Sequence, residues 1–353
     1  MVSSARVALL GYGLAAAVFH APLLEAVDGL ELAAIVTRNE ERRARAGLEH
    51  PGALLLEDAA QVWDRARDFD LVVIATPNRT HVELARAAFE AGLAVVVDKP
   101  LAPSAEEARS LIHEAHHRGV MLTVFQNRRL DGDYLTVRRL IEEGALGRVL
   151  RMESRFDRWR PELTGGWREL AEPEEAGGLL YDLGSHLVDQ ALLLFGPARD
   201  VYAELDIRRP GARIEDDVFV ALTHASDVRS HLWMSAVAAQ PAPRLRVIGD
   251  KAAYVKQGVD VQEAMLHNGV VPGEAGWGED LETDWGVLGA GAHFRPVQTV
   301  PGAYERFYEG TVAALAGGAP PVDPDDAVVS LSVLEAARRS ARDRQIVAVA
   351  ETI

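Results

Sequence analysis

The turn GYGLAA follows the strand-like run RVALLG, residues 6–11, and constrains the fold more than any other stretch of the chain. Its Gly11, Gly13 and Ala16 match the G-x-G-x-x-G/A pattern, in which the first glycine makes a tight turn and the second leaves room for a pyrophosphate. The small Ala16 lets the following helix pack closely. A glycine-rich turn without a ligand can show the same pattern. Because a strand and a helix-like segment flank it here, we predict a pyrophosphate-binding turn at a helix N-terminus.

The end of the second predicted strand, residues 31–36, bears on the choice between NAD and NADP. In NAD-binding folds an acidic residue at this point bonds the ribose 2′-hydroxyl, whereas this chain has Thr37 and Arg38. A hydroxyl and a guanidinium suit a 2′-phosphate, and Arg42 and Arg43 stand close enough in sequence to add to them. The alternative is a solvated basic start of a helix, because glutamates stand among these arginines. We expect NADP in preference to NAD.

Four more strand-like runs alternate with helix-like segments. The strands are residues 53–58, 71–78, 94–97 and 120–125, and the clearest helices are 81–92 and 104–119. This alternation predicts an α/β fold with a doubly wound parallel sheet and a ligand site at the carboxyl ends of the strands. The residues at those ends, which we expect to line one crevice, are Gly11, Thr37, Thr76, Asn78, Asp98, Lys99, Gln126 and Asn127.

Several ordered motifs resemble the Gfo/Idh/MocA oxidoreductases over essentially the whole chain. They are GYGLAAAVFHAPLL, IATPNRTHVELARAAFEAG, VVVDKPLAPSAEEA, QNRRLDGDYLTVRRLIEEGALGRV and, at 177–196, GGLLYDLGSHLVDQALLLFG. The FHAP, QNRR and WRE (167–169) stretches most resemble the branch of NADP-dependent scyllo-inositol dehydrogenases. The family usually has Glu-Lys-Pro where this chain has Asp98-Lys99-Pro100. The shorter acid leaves the lysine's role intact and makes the acid's own contact less certain.

The resemblance implies a Rossmann domain at residues 1–125, then an α+β domain at 126–353 with a large, mostly antiparallel open sheet. It also implies a cis-proline turn at Pro100 and a homodimer or homotetramer formed through the open sheet. The residues that it implies for cofactor binding are Gly11, Tyr12, Gly13, Leu14, Ala15, Thr37, Arg38, Ala75, Thr76, Pro77, Asn78, His81, Asp98, Lys99 and Gln126.

The second half of the chain changes from alternating strands and helices to runs with a period of two residues. These runs, which predict a mostly antiparallel sheet, are 147–156, 201–207, 217–224, 228–235, 244–249 and 252–256. Residues 257–300 are rich in glycine, tryptophan and acidic groups, and we expect a long loop region near a site or an interface. A last helix is expected to begin near Asp325 or Asp326.

Asp182 and His186 stand four residues apart in YDLGSHLVDQ, so on a helix they share a face. A carboxylate that holds an imidazole suits a proton-transfer step at neutral pH, and a purely structural pair is an equally good interpretation of this spacing. A metal site is a poorer one, even with Asp189 one turn further on, and we expect no metal. The resemblance favours the functional interpretation, because the two residues match the family's Asp-x-x-x-His pair.

Together these features predict hydride transfer between a secondary alcohol of a polyol or sugar ring and a nicotinamide. In this hypothesis His186 accepts the hydroxyl proton, Asp182 orients it, and Lys99 donates to the same oxygen. The residues expected to bind the substrate are Lys99, Arg158, Arg160, Trp167, Arg168, Tyr181, Asp182 and His186. For the arginines, the tryptophan and the tyrosine, the alternative is a plain position on a surface loop.

The totals exclude several other classes of protein. The net charge of −16 disfavours a nucleic-acid partner. The absence of cysteine excludes disulfides and thiol catalysis and is consistent with the cytoplasm. The N-terminus does not have the pattern of a signal peptide, and no apolar run is long enough for a membrane span.

Two alternatives stay open: a redox-neutral family member that acts on glycosides with tightly bound NAD, and a non-catalytic dinucleotide sensor.

Overall fold

The computed structural model describes residues 4–163, 165 and 177–349, which pack as two compact units. The first unit runs up to Asn127 and also includes residues 262–277 and 303–327, and the second contains the remaining described residues. The boundary between residues 125 and 126 stays a prediction. The sequence did not indicate that two later segments pack with the first unit.

The described residues contain strands in both units. In chain order they are β1 Ala5–Leu10, β2 Leu30–Val36, β3 Leu54–Leu56, β4 Leu71–Ile74, β5 Ala94–Asp98, β6 Leu122–Phe125, β7 Val149–Asp157, β8 Ala198–Asp206, β9 Asp217–His224, β10 Arg229–Ser235, β11 Leu245–Gly249, β12 Ala253–Lys256, β13 Gly286–Ala290, β14 His293–Val297 and β15 Val347–Ala348.

The helices of the same residues follow in chain order. They are α1 Ala21–Ala26, α2 Glu40–Glu49, α3 Ala60–Trp63, α4 His81–Glu90, α5 Ala105–Arg118, α6 Gly132–Glu142, α7 Ser185–Phe195, α8 Gln262–His267, α9 Glu305–Leu315 and α10 Pro324–Asp343. None of them is both long and apolar enough to cross a bilayer.

The sheet of the first unit is parallel throughout, in the order β3-β2-β1-β4-β5-β6. All four residues of β4 are fully buried, as are Val95–Val97 of β5, because a parallel sheet is covered on both faces. The strand order reverses between β1 and β4, and ligands of doubly wound folds bind at that reversal. The predicted fold class is confirmed for this unit.

The helix α5 is capped at both ends by its own residues. The Ser104 hydroxyl oxygen accepts from the Glu107 N–H at 3.2 Å and donates to the Glu107 carboxylate at 3.0 Å. After the last turn, Gly119 takes the left-handed conformation, with φ of +66°. The Ser/Glu and Gly signals therefore set both ends of this helix.

Two helical turns have the wider π-helical geometry where the sequence predicted ordinary α-helix. They are Ala16–His20, which precedes α1, and Leu180–Gly184, which precedes α7. In the first, the Ala21 N–H donates to the carbonyl of Ala16, five residues back. Pro22, in the first turn of α1, has no N–H to continue an α-helical ladder across this point. Turns of this kind are frequent at functional sites, and each one here lies in a stretch to which the sequence assigned a function.

The sheet of the second unit has nine strands in the order β14-β13-β12-β11-β7-β10-β9-β8-β15. Only the β7–β10 pair is parallel among its described pairings. The prediction of a mostly antiparallel sheet is confirmed, and β9 shows the expected alternation of buried and half-buried residues.

The expectation of a long loop at 257–300 was wrong for part of this stretch, which contains α8 and the hairpin β13–β14. Gly286 and Gly289 weaken the strand pattern of β13, yet each is required there. A Cβ at Gly286 would lie 2.2 Å from the Tyr254 hydroxyl, and one at Gly289 would lie 2.2 Å from the His293 carbonyl. Pro296 stands in β14, the edge strand, where a missing N–H is tolerated.

The stretch after β12 is also fixed by a buried ion pair. The Lys256 ammonium lies 3.0 Å from the Asp280 carboxylate and donates to the Gln257 carbonyl at 2.8 Å. The two charged side chains are only 2% and 4% exposed. Removal of one partner would leave the other charge buried and unpaired.

We predict that Asp280→Ala lowers the free energy of unfolding by about 3–5 kcal/mol, measured by urea denaturation followed by circular dichroism. The double variant Lys256→Met/Asp280→Ala should recover most of that loss, because it buries no charge. Asp343→Ala, which breaks an exposed pair with Arg342, is the control and should have little effect. An equal loss in the single and double variants would contradict the assignment.

Candidate active site

Gly11 holds the turn after β1 through its backbone. It has φ of +93°, and its N–H donates to the Val36 carbonyl at 2.9 Å. A Cβ at this position would lie 2.7 Å from the Ala75 carbonyl oxygen. The turn therefore packs between the ends of β2 and β4, where only glycine fits.

Gly13, in contrast, borders open space. The nearest atom to a Cβ built there is Nη1 of Arg42, at an ordinary contact distance of 3.7 Å. The Ala17 N–H donates to the Gly13 carbonyl at 2.9 Å, so the amides that directly follow Gly13 are first-turn donors without an acceptor inside the helix. A bare turn with free amide donors at a helix N-terminus fits a pyrophosphate group.

Tyr12 anchors the glycine turn to the helix α2. Its hydroxyl donates to the Glu49 carboxylate at 2.5 Å and lies 2.8 Å from Nε2 of His50. The other ring nitrogen of His50 lies 2.7 Å from the Glu25 carboxylate. Burial and the Glu49 carboxylate raise the pKa of the Tyr12 hydroxyl, which stays neutral. The side chain of Tyr12 is thus engaged within the protein, and only its backbone is left for the predicted contact with the cofactor.

The arginines near the end of β2 differ in their partners. Arg38 pairs with Asp58, and Arg43 pairs with Glu57. The Ala60 N–H and the Arg38 guanidinium hold the pKa of the Asp58 carboxyl below its ordinary value.

Arg42 differs from both of these arginines. Its backbone N–H donates to the Asn39 side chain at 2.9 Å, its guanidinium lies over Gly13, and no carboxylate of the described ranges forms an ion pair with it. In the sequence, Arg38 was the first candidate for a phosphate ligand and Arg42 an additional one. The position of the Arg42 guanidinium next to the glycine turn makes Arg42 the better placed of these two residues.

The turns after β4 and β5 are tied together by His81. Its Nε2 lies 2.9 Å from the Thr76 carbonyl oxygen, and its Nδ1 lies 2.9 Å from the Pro100 carbonyl oxygen. The Lys99 N–H donates to the Asp98 carboxylate at 2.8 Å, and the Lys99–Pro100 peptide bond is cis, as the resemblance implies. His81 is fully buried, so its ring connects the two turns inside the unit, away from solvent.

A buried His–Tyr pair that sequence reasoning missed lies in the same unit. Nδ1 of His20 lies 2.6 Å from the Tyr308 hydroxyl, and neither side chain is exposed. Burial lowers the pKa of His20 to about 4 against the opposing charge of Asp98. His20 is therefore neutral at pH 7. Its partner comes from α9, nearly 300 residues later, and no local pattern predicts that contact.

Other predicted cofactor residues also lie at the carboxyl ends of the sheet of this unit. Thr37 follows β2 and donates its N–H to the Leu56 carbonyl at 2.9 Å. The Thr76 and Thr80 hydroxyls are 2.7 Å apart, while Asn78 and Gln126 are buried. The structure thus brings the cofactor residues predicted from the sequence to one edge of the parallel sheet.

Asp182 and His186 lie in the second unit, on either side of the junction between the π-helical turn Leu180–Gly184 and α7. His186 is 6% exposed. Gly178, two residues before the π-helical turn, has φ of +78°, and a Cβ there would lie 2.4 Å from the Glu215 carboxylate. The Leu179 N–H donates to the Glu215 carbonyl at 3.1 Å. The start of the segment that carries Asp182 and His186 is therefore fixed against Glu215.

Glu215 is itself perturbed by this environment. Burial raises the pKa of the Glu215 carboxyl against the opposing charge of Arg338, whose Nη2 lies 3.8 Å from it. The Arg338 guanidinium also lies 4.6 Å from the ring centre of Tyr181. Tyr181 is 3% exposed, so it is not a surface loop residue, and its role in substrate binding stays a prediction.

The arginines of the QNRR stretch have structural partners in this unit. Arg129 donates two hydrogen bonds to Asp189, at 2.8 and 2.6 Å. Arg128 lies 3.5 Å from Asp131 and 4.8 Å from the centre of the Phe156 ring. The Asp189 carboxylate, which the sequence considered as a weak metal ligand, is thus held by a guanidinium.

Comparison with known proteins places the chain in a family. The model described as an oxidoreductase family with an NAD-binding Rossmann fold matches residues 5–126, and the model of the GFO/IDH/MocA C-terminal domain matches residues 134–255. The chain belongs to the Gfo/Idh/MocA family. Its membership confirms the resemblance seen in the sequence and the dinucleotide-binding role of the first sheet.

Relatives of full length are similar to this Gfo/Idh/MocA chain. The oxidoreductase YdgJ of Escherichia coli (strain K12) is 38% identical over 99% of this chain and 100% of its own. The scyllo-inositol 2-dehydrogenase (NADP(+)) IolW of Bacillus subtilis (strain 168) is 32% identical over 98% and 96%. A structure of the oxidoreductase YvaA from B. subtilis has a TM-score of 0.92 and 32% identity, with 99% of both chains covered. The chain is an NAD(P)-dependent dehydrogenase.

The remaining predicted substrate residues of this Gfo/Idh/MocA chain are only partly described. Arg158 follows β7, and its N–H donates to the Ser235 carbonyl at 2.8 Å. The carbonyl of Arg160 accepts from Arg209 at 3.2 Å. Trp167 and Arg168 lie outside the described residues. A substrate role for Arg158, Trp167 and Arg168 stays a prediction.

We predict that Gly13→Ala folds with an unchanged melting temperature but is no longer stabilised by NAD or NADP, because its methyl group takes the space left for the phosphates. Gly11→Ala should instead destabilise the free protein by about 1–3 kcal/mol, through its positive φ and its collision with Ala75. A thermal-shift series on both variants, with and without cofactor, separates the two effects. Full cofactor stabilisation of Gly13→Ala would contradict the site.

Proposed function

We propose that this protein catalyses reversible hydride transfer between NADP and a secondary alcohol of a cyclitol or sugar, with scyllo-inositol as the reference substrate. The observation that carries the proposal is the full-length similarity to a scyllo-inositol 2-dehydrogenase that uses NADP(+). Lys99, Asp182 and His186 support it, since all three match the family's motif positions. A sensor that only binds dinucleotides does not need this set.

The chain's own residues supply the proton chemistry of this proposal, while the bound cofactor supplies the hydride acceptor or donor. His186 takes the proton from the substrate hydroxyl, and Asp182 keeps the imidazole in the required orientation and stabilises its charged form. Lys99 donates to the same oxygen as negative charge develops on it. General acid–base assistance of this kind contributes about 10²–10⁴-fold in rate.

The binding of a 2′-phosphate is proposed for the polar residues that follow β2. The Thr37 hydroxyl and the Arg38 guanidinium belong to this set, as the sequence predicts. Arg42 adds a guanidinium with no ion-pair partner among the described residues, next to the open space at Gly13. This charge distribution supports NADP over NAD, because the region offers two arginines where an NAD site has an acid.

A homodimer or homotetramer is proposed through the sheet of the second unit. A half-buried ring cluster lies on that sheet, with the ring centres of Phe219 and Trp233 5.0 Å apart and His231 next to both. The Arg155 guanidinium lies 3.8 Å from the centre of the Trp233 ring. Aromatic and arginine side chains grouped in this way are enriched in protein interfaces.

We predict that Lys99→Ala lowers kcat with scyllo-inositol and NADP by about 10²-fold or more, while the Kd for NADP changes little. Lys251→Ala, which changes an exposed lysine, is the matched control and should retain full turnover. Steady-state kinetics with a panel of cyclitols and aldoses, together with cofactor titration, gives both quantities. Unchanged turnover of Lys99→Ala would remove the lysine from the mechanism.

We predict that Arg42→Ala raises the Kd for NADP about 10–100-fold and leaves the Kd for NAD nearly unchanged, because one charge-assisted contact to a phosphate contributes about 1.5–3 kcal/mol. Arg43→Ala, whose guanidinium pairs with Glu57, is the control, and Arg38→Ala measures the share of the other proposed ligand. Equal losses for NADP and NAD would assign Arg42 to the pyrophosphate instead of the 2′-phosphate.

A further inference from the structure

His81 occupies an unusual position among the polar groups of the first unit. It is the first residue of α4, and its side chain is fully buried. Both ring nitrogens lie 2.9 Å from backbone carbonyl oxygens, one of Thr76 in the turn after β4 and one of Pro100 in the turn after β5. The two sides of the ring therefore contact different turns.

The chemistry of these contacts fixes the protons of the ring. A carbonyl oxygen accepts hydrogen bonds and cannot donate, so each ring nitrogen must carry a hydrogen for its contact to be a hydrogen bond. A neutral imidazole has only one N–H. In the neutral ring, a nitrogen lone pair would point at a carbonyl oxygen without exposure to water, at a cost of about 1–3 kcal/mol. Only the imidazolium satisfies both contacts.

The charges around the ring support this form. The last residue of β5 contributes the Asp98 carboxylate, next to Lys99 in sequence. The π-helical turn and α9 contribute the neutral His20 and Tyr308. Asp98 raises the pKa of the buried His20, whereas His81 lowers it. Asp98 and His81 therefore both lie near His20. Asp98 is the carboxylate that can serve as the counter-ion of a buried cation at His81.

We infer that His81 is a positively charged positioning residue, whose imidazolium donates to the Thr76 and Pro100 carbonyls and so fixes the spacing between the cofactor turn after β4 and the Lys99 turn. The inference rests on the proposed function for its effect on catalysis. The protonation state itself does not depend on that function. Deprotonation of His81 would remove its hydrogen bond to one of the two turns, so the charge of the ring and the spacing between the turns are linked.

The first test is a nuclear magnetic resonance measurement on the cofactor-free protein with ¹⁵N-labelled histidine rings. We expect both nitrogens of His81 to be in the N–H form at pH 8, whereas a neutral ring would show one N–H nitrogen and one unprotonated nitrogen. The signal is assigned by its loss in His81→Gln. An unprotonated nitrogen on His81 at pH 7 would overturn the inference, whatever the protein catalyses.

The second test measures the positioning effect through the cofactor. His81→Gln should raise the Kd for NADP about 10-fold and remove the alkaline loss of NADP affinity that deprotonation of His81 gives the native protein. His117→Asn, on an exposed face of α5, is the control and should keep both the affinity and its pH dependence. An unchanged Kd and pH profile in His81→Gln would overturn the positioning role. Failure of the proposed substrate chemistry would leave both of these readouts intact.

Discussion

The contact between the Gly11 backbone and the Ala75 carbonyl oxygen is the constraint on which the cofactor side of the molecule depends. Any Cβ on Gly11 would lie 2.7 Å from that oxygen and would separate the ends of β1 and β4. Thr76 follows Ala75 directly, and its carbonyl accepts from His81, which also contacts Pro100. The close approach at Gly11 therefore fixes the turn that contains Thr76, and the His81 ring connects that turn to the one that contains Lys99.

The parallel sheet was predictable because its strands carry their own signal. Strands buried on both faces are short apolar runs, and β1, β2 and β6 are followed directly by Gly11, Thr37 and Gln126 at the ligand edge. The strands β13 and β14 were not predictable by the same rule. Their glycines are needed for close approach to Tyr254 and to the facing backbone, and the edge strand contains Pro296. Packing, not propensity, decides these strands.

The candidate site was predictable in its residue types and less so in their partners. The sequence identified the glycine turn, Lys99 and the Asp182–His186 spacing. It did not show that Arg38 and Arg43 are engaged by acids while Arg42 lies over the glycine turn. The distinction depends on which arginines meet the acids Glu57 and Asp58 that follow β3. No local pattern in the arginine-rich stretch shows which of its charges those acids will neutralise.

The two buried histidines of the first unit show that residue type alone does not determine protonation state. His20 and His81 are both fully buried, and both Asp98 and His81 act on the pKa of His20. His20 faces a hydroxyl, which can donate to a neutral ring, and burial then favours the neutral form. His81 faces two carbonyls, which can only accept, and hydrogen bonding then favours the charged form. The same side chain is thus neutral or cationic according to what its neighbours can donate. That property belongs to the fold, because the Tyr308 hydroxyl and the Pro100 carbonyl come from segments far from either histidine in sequence.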